Sequence, residues 1–228
     1  TRRHWIFLTK NKSPPFEQVR SFIDKNACRF STRKIIRLDQ GGELYRSHAF
    51  QQLADSLGFI LEPTAPAAPF QNGLAERPNR SLGEKMQCLL NQAGLGPEYW
   101  SWAILHACYL KNRIPHHAIG KTPYEAWSGE KPSAKRWQIF GCPVIIRLPG
   151  IKTAKLDSHT ASGIFLGFTG TDKNIYYHDS VTHRIKSATH VTFDETGMSL
   201  PSAARTLIMK QLHDLGYNME TSPLMLKM

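Results

Sequence analysis

The sequence predicts an α/β region followed by a small all-β module. In the first part of the chain, short β-branched runs alternate with longer segments whose apolar residues recur at helical spacing. From residue 137 the pattern changes to short alternating runs broken by Gly, Pro, Asp and Asn, which is typical of a small barrel. We therefore expect two domains, over residues 1–132 and 137–197, and a poorly defined tail over 198–228.

The α/β region begins with alternating strand and helix patterns. Residues 4–10 alternate aromatic and β-branched side chains between two faces and predict a strand. A helix is expected from about 13–15 to 26–28, because its apolar residues recur every three or four positions. A strand is expected over 34–38, because this short run is rich in β-branched residues. The next elements are expected to be a helix over about 47–57 and a short strand over 59–61.

A stretch rich in proline and alanine, residues 63–72, predicts a loop that is mobile without substrate. Such a loop could shape a DNA end or be an ordinary connection, and the residues leave both interpretations open. The helix that follows is expected to begin at Glu76 or Arg77 and to run to about Ala93. Pro78 suits only its first turn, because in a helix interior it would cost roughly 3 kcal/mol.

After a further helix over 97–111, five short runs are expected to form the strands of the barrel. Residues 171–175 predict a hairpin turn, with Tyr176 and Tyr177 on opposite faces of the next strand. Lysines and arginines make this module basic, which fits either nucleic-acid contact or ordinary solvated charge. The five runs are QIFGCPVIIRL, ASGIFLGF, KNIYYHD, HRIKSAT and HVTFDE.

Composition limits the function classes. The 228 residues carry a formal net charge of +11, which favours polyanionic partners such as nucleic acid. The four cysteines show no paired spacing and the ten histidines form no zinc pattern, so the thiols are expected to be reduced and mostly buried. No apolar run approaches the length needed to span a bilayer, and the N-terminus has no signal-peptide pattern. We therefore expect a soluble intracellular protein with no membrane partner and no small-molecule cofactor.

Two carboxylates, Asp39 and Glu76, stand in positions that suit metal chemistry. Asp39 ends the predicted strand 34–38, and Glu76 stands where a helix begins. Carboxylate oxygens are ligands for divalent cations in metal-assisted phosphoryl transfer, which usually requires a third acid. The alternative is that Asp39 is a turn residue before two glycines and Glu76 an acid that suits a helix N-terminus.

A series of motifs in a fixed order carries a resemblance to a known family. The chain resembles the integrase catalytic core and the following SH3-like module of copia-type retrotransposons, within the retroviral integrase superfamily, over residues 1 to about 197. The resemblance implies a ribonuclease H-like core and an SH3-like barrel. The motifs are LDQGGE, QNGLAERPNR, YLKNRIP, KTPYEAWSGEKPS, IFGCPV, KLDSHTASGIFLGF and THVTFDE.

The resemblance also implies a function. In the family, Mg²⁺ or Mn²⁺ ions held by three carboxylates serve to trim the ends of the element's DNA and to join them to target DNA. Asp39 and Glu76 match the second and third of these acids. The implied partners are element ends and target DNA, with a possible homo-oligomer and a nuclear location.

The same resemblance assigns residues that contact DNA. Asn72 and Gly73 match the family's mobile loop. Arg80, four positions after the matched glutamate, matches a basic residue that contacts a DNA phosphate, and Arg77 lies beside it. Gly83 stands where the family has a second contact, so that contact does not carry over. The alternative is that Arg77 and Arg80 are solvated helix charges.

The first acid of the family has no counterpart in this chain. The only acids before Asp39 are Glu17 and Asp24, and both lie in a helical pattern. We therefore expect an incomplete core without its first two strands, inactive and marginally stable over 1–62, and a barrel able to fold alone. The alternative function is a non-catalytic nucleic-acid-binding or scaffold protein; a ribonuclease H-type nuclease fits the downstream motifs poorly.

Overall fold

The computed structural model describes eight stretches of the chain, and the statements below concern these residues. They are residues 1–9, 16–26, 35–38, 45–63, 69–133, 137–148, 160–170 and 173–196. The helices are α1 (Phe16–Asn26), α2 (His48–Ser56), α3 (Pro69–Ala93), α4 (Trp100–Arg113) and α5 (Pro123–Ser128). The strands are β1 (Ile35–Leu38), β2 (Ile60–Pro63), β3 (Pro143–Arg147), β4 (Thr160–Phe168), β5 (Ile175–Asp179), β6 (Ile185–Ala188) and β7 (Val191–Phe193).

The chain divides into two compact units, and the division lies within α3. The first unit is Trp5–Gly83; the second joins Thr1–His4 to Glu84–Met228. The domain boundary predicted between residues 132 and 137 stays a prediction. No described helix is long and apolar enough to cross a bilayer.

The first unit contains a parallel strand pair with helices. β1 pairs with β2 from Ile35 opposite Ile60 to Leu38 opposite Pro63. Its buried cluster is formed by Ile23, Ala54 and Phe59, contributed by α1, α2 and the residue before β2. Phe50 of α2 and Leu82 of α3 are buried as well. The predicted strand, helix, strand order of this region is confirmed, with element ends shifted by one or two residues.

The strand predicted over residues 4–10 is wrong for its described part, because residues 4–9 have no regular secondary structure. Within the first unit, the rings of Trp5 and Phe7 both pack edge-on against Phe22, at centroid distances of 4.8 and 6.1 Å. Trp5 and Phe7 therefore share a face that contacts α1 without being part of a strand, and both side chains remain partly exposed.

The second unit contains an antiparallel five-stranded sheet in the order β6-β5-β4-β3-β7. All its pairs are antiparallel, and the register between β4 and β5 shifts between Phe165 and Gly167, where a bulge lies. The Thr169 N–H donates to the Asn174 carbonyl at 2.9 Å and closes the predicted hairpin. All five predicted strands are thus present.

The two faces of this sheet have different cores. One face buries Cys142, Val144, Ile146, Phe165, Ile175 and Tyr177 against one another. The other face packs Leu166 and Phe140 against Leu90 of α3 and Ala103 of α4. Tyr177 belongs to the first cluster and Tyr176 packs against the second, which confirms that they lie on opposite faces.

Candidate functional site

The aspartate predicted to bind metal follows directly after β1. β1 ends at Leu38 as the sequence predicts, and β2 runs parallel to it, so both strands end at the same edge of the pair. Asp39 itself lies outside the described residues. The structure thus supports the strand that would present Asp39, and the position of its carboxylate stays a prediction.

The glutamate predicted to bind metal lies well inside a helix. α3 begins at Pro69, seven residues before Glu76, so Asn72 and Gly73 are helical and the predicted start at Glu76 or Arg77 is wrong. The loop predicted over 63–72 is wrong at its end, because residues 69–72 are helical; residues 64–68 lie outside the described residues.

The early start of α3 has a local physical cause. A proline is favoured at the first helical position, because its fixed φ suits the helix and its missing N–H would have no partner there. Pro69 occupies that position and Pro78 lies in the interior, where it removes one backbone hydrogen bond. Burial of Leu82, which is 4% exposed, stabilises the helix beyond Pro78.

The two arginines predicted to contact DNA lie on the same helix. Arg77 and Arg80 are both exposed on α3, one and four positions beyond Glu76. Their exposed guanidinium groups are of the kind that binds phosphate oxygens with paired hydrogen bonds. The structure is thus compatible with the predicted role, which stays a prediction.

Glu62 is a carboxylate beside the β1–β2 pair that the sequence analysis did not single out. It lies opposite Arg37 in the strand register, and the Arg37 Nη2 atom lies 2.9 Å from its carboxylate. Both side chains are about half exposed, so the ion pair contributes little to stability. An arginine already neutralises this carboxylate, which makes it a poor substitute for the missing first acid.

The two acids that precede Asp39 lie where the sequence predicts. Glu17 and Asp24 are both on α1, and Asp24 lies 4.0 Å from Arg20 one turn earlier. Among the described residues, no group of three or more His, Cys, Asp or Glu side chains could hold a metal ion. The metal hypothesis therefore depends on Asp39 and on the side chain of Glu76, which are not among the described groups.

His106 is a buried ionisable group of the second unit that the sequence analysis missed. Its ring is 2% exposed, and neither ring nitrogen has a hydrogen-bond partner among the described residues. It packs against the rings of Phe140 and Phe165, each at a centroid distance of 5.5 Å. Burial, with a smaller effect of the Arg113 charge, lowers the pKa of His106 to about 4, so the imidazole is neutral at pH 7.

Asp179, at the end of β5, is a buried ionisable residue with several hydrogen-bond partners, in contrast to His106. Its carboxylate accepts hydrogen bonds from the backbone N–H groups of Val181 and Thr182, and the ammonium of Lys186 lies 2.7 Å away. The Lys186 hydrogen bond, followed by the backbone bonds, holds the pKa of Asp179 well below its usual range. These contacts fix the turn between β5 and β6, which is a structural role.

The three described cysteines are free thiols. Cys108 and Cys142 are buried and Cys88 is exposed. Burial raises the pKa of Cys108 and raises that of Cys142 to about 12, so both are protonated at pH 7. The expected burial is confirmed for Cys108 and Cys142 and is wrong for Cys88. The reduced state stays a prediction, and Cys28 lies outside the described residues.

Comparison with known proteins places these features in context. Residues 142–204 match the retroviral polymerase SH3-like domain. The chain is 30% identical over 200 residues to the Retrovirus-related Pol polyprotein from transposon TNT 1-94 of Nicotiana tabacum, covering 86% of this chain and 15% of the relative. It is also 30% identical over 209 residues to the Pol polyprotein from transposon RE1 of Arabidopsis thaliana, covering 91% of this chain and 14% of that relative.

Two solved structures resemble the chain more distantly. One is the intasome of simian T-cell lymphotropic virus in complex with the PP2A regulatory subunit B56 gamma, with a TM-score of 0.42 and 18% identity; the match covers 80% of this chain and 66% of that one. The other is the catalytic core domain of BIV integrase, with a TM-score of 0.39 and 22% identity, over 53% of this chain and 74% of that one.

The chain spans about one seventh of the length of the Pol polyproteins that it matches. The matches extend over most of the chain's own length. The five-stranded antiparallel sheet coincides with the residues of the SH3-like match. The chain is therefore related to retrotransposon Pol polyproteins, as the motifs predict, and its C-terminal module is SH3-like.

Proposed function

We propose that the chain is a segment of a retrotransposon integrase and that it serves DNA integration. The observation that carries the proposal is the similarity to Pol polyproteins along 86–91% of the chain. The SH3-like module and the net charge of +11 agree with a protein that handles nucleic acid. We propose a nuclear site of action on the same ground.

The metal ions of this function would be held by Asp39 and Glu76. Carboxylate oxygens fit hard divalent cations such as Mg²⁺ or Mn²⁺. Asp39 follows β1 in the sequence and Glu76 lies on α3, and both positions fall within the first compact unit. When bound, such ions activate an attacking oxygen and stabilise charge on a phosphate. Arg77 and Arg80 would bind the backbone phosphates of the DNA beside these acids.

We further propose that this chain does not catalyse integration by itself. The reaction of the resembled family uses three carboxylates, and the acids before Asp39 lie on α1, with Asp24 close to Arg20. A two-acid set leaves the metal ions with one ligand fewer, so positioning of the reacting oxygens is lost. Its DNA partners would then be bound and not processed.

The test is strand transfer with Mn²⁺ and labelled element-end DNA. A longer segment of the same polyprotein that includes an upstream aspartate-bearing strand should join DNA ends, and Glu76→Gln in that segment should abolish the reaction. The matched control is Glu130→Gln, an exposed acid on the loop after α5. Strand transfer by the present chain, or full activity of the Glu76→Gln segment, would contradict the assignment.

A second candidate is a non-catalytic nucleic-acid-binding protein of the same descent. The absence of a strand-borne acid before Asp39 favours it, since the described acids there are helical. In that case neither form joins DNA ends, while binding to DNA remains and weakens steeply as salt rises.

A further inference from the structure

His4, near the start of the chain, is hydrogen-bonded to the C-terminal half of α4. The His4 N–H donates to Asn112 Oδ1 at 2.9 Å, and the Asn112 amide donates back to the His4 carbonyl at 2.8 Å. Asn112 is buried, so these two hydrogen bonds are shielded from competing water. This reciprocal pair holds the N-terminal segment in a fixed place beside the end of α4.

Aromatic rings hold two arginines in the same region. The Arg3 guanidinium lies 4.9 Å from the centroid of the Tyr124 ring, and the Arg113 guanidinium lies 4.7 Å from the same ring. Arg113 also lies 3.6 Å from the centroid of Tyr109. Cation–π attraction to the rings offsets part of the repulsion between the two like charges, so positive charge is concentrated at this end of α4.

The ionisable groups around this segment act on one another as like charges. Burial lowers the pKa of His4, and the charges of Lys111, His116 and Arg2 lower it further. Burial and the charge of Lys85 lower the pKa of Lys111 in the same way. Burial is the larger cause of both shifts, and the neighbouring positive charges add to it. An anionic partner would relieve the repulsion between these charges.

We propose that Arg2, Lys85 and Lys111 form a basic patch, with the imidazoles of His4 and His116 beside it, that binds the phosphate backbone of duplex DNA. Four separate parts of the chain build this surface: the N-terminal segment, α3, α4 and the residues just after α4. Arg2 and Lys85 are exposed, and the other three side chains are half-buried, so their charged or polar ends are accessible. The choice of DNA among polyanions rests on the proposed function.

The patch shares no residue with the predicted metal site. Its residues belong to the second compact unit, whereas Asp39 and Glu76 belong to the first. Contacts of fixed cations with phosphates carry no sequence information and position the protein on the duplex. The patch would thus give the segment affinity for DNA without requiring the metal ions.

The test is the salt dependence of DNA binding by the whole chain in EDTA, measured by fluorescence anisotropy with a labelled duplex of mixed sequence. Each phosphate neutralised adds about 0.9 to the slope of log K against log salt. The Lys85→Gln/Lys111→Gln variant should bind more weakly, with a slope shallower by about 2. The matched control, Lys25→Gln/Lys131→Gln, removes the same charge at two exposed sites outside the patch and should change the slope by clearly less.

Three results would overturn the proposal. The first is an equal change of slope in the control variant, which would show a general effect of net charge. The second is a loss of thermal stability in Lys111→Gln with an unchanged slope, which would show that Lys111 serves only the C-terminal dipole of α4. The third is an equal loss of binding to poly-L-glutamate, which would indicate an acidic protein partner.

The assay also separates this proposal from the proposed function. Because EDTA removes metal ions, DNA binding is measured without any strand transfer. Glu76→Gln should keep the salt slope of the unchanged chain if the patch binds DNA. A chain that loses its patch-dependent slope only when Glu76 is replaced would contradict the separation of the two sites.

Discussion

The two compact units differ in how completely their sheets are covered. In the first unit, Ile35 and Ile60 lie opposite each other in the β1–β2 pair and are 45% and 57% exposed. In the second unit, Val144 and Ile146 of β3 are almost fully buried, and both faces of the sheet carry apolar clusters. The residues proposed for chemistry therefore lie in the unit with the smaller described core, and the SH3-like module lies in the better packed one.

This difference has a consequence for the SH3-like module. Phe140, Leu166 and Tyr176 of its sheet pack against α3 and α4, through Leu90 and Trp102 among others. A module cut out at residue 137 would expose that apolar face to water. The prediction that residues 137–197 can fold alone stays untested. Such a fragment would lose the contacts that its sheet makes with α3 and α4.

The largest expected effect is loss of an aromatic side chain from the better packed unit. Phe165 is fully buried and its ring contacts those of Phe168 and Phe193, at 5.1 and 5.3 Å. Phe165→Ala should lower the free energy of unfolding of the second unit by about 3–5 kcal/mol. Hydrogen exchange of β4 and urea unfolding measure it, with Phe165→Leu as a milder variant in case the alanine form does not fold.

The matched substitution in the first unit is Phe59→Ala, where the buried cluster has three members. We expect the free energy of unfolding to fall by an amount at the lower end of the same range. The faster hydrogen exchange should be confined to residues 5–83. An equal or larger loss there would show that the first unit is packed as well as the second, and the comparison would fail.

An intermediate effect is expected from the buried imidazole of the second unit. The pKa of His106 is about 4 in the folded chain against 6.5 in its ordinary state, so between these values the unfolded chain binds the extra proton. Stability is therefore full above about pH 6.5 and falls as the pH drops toward 4, by up to about 3 kcal/mol. Urea unfolding of the second unit across this range measures it.

His106→Leu should flatten that pH dependence, because no buried imidazole remains to be protonated. His190→Leu, at an exposed histidine, is the control and should keep the dependence. A steep fall that persists in His106→Leu would assign the acid sensitivity to other groups.

The smallest effect is expected on the exposed face of β1 and β2. Ile60→Thr should change the free energy of unfolding by less than about 0.5 kcal/mol, because its side chain is already largely in water. Ile146→Thr, a buried match in β3, should cost about 1–3 kcal/mol. A large loss from Ile60→Thr in thermal unfolding would show that this face is covered in solution by another chain.

Local patterns were sufficient for most elements of the fold. Side-chain periodicity predicted α1, β1, α2 and the five strands of the sheet, because each has a run of residues whose spacing matches one face. The same alternation failed at residues 4–9, where the aromatic face packs on α1 without a strand to pair with. Periodicity reports which side chains share a face and does not report what that face contacts or how far it is buried.

The sequence by itself determined the relationship to retrotransposon Pol polyproteins, the SH3-like module and the candidate acids, because motifs and residue types are read along the chain. Only the tertiary structure decided that α3 begins at Pro69, that His106 is buried among aromatic rings, and that His4 bonds to Asn112. The last two depend on contacts between residues far apart in the chain, which local spacing does not encode. The start of α3 at Pro69 depends on tertiary packing as well as on Pro69 itself, because burial of Leu82 offsets the cost of Pro78 inside the helix.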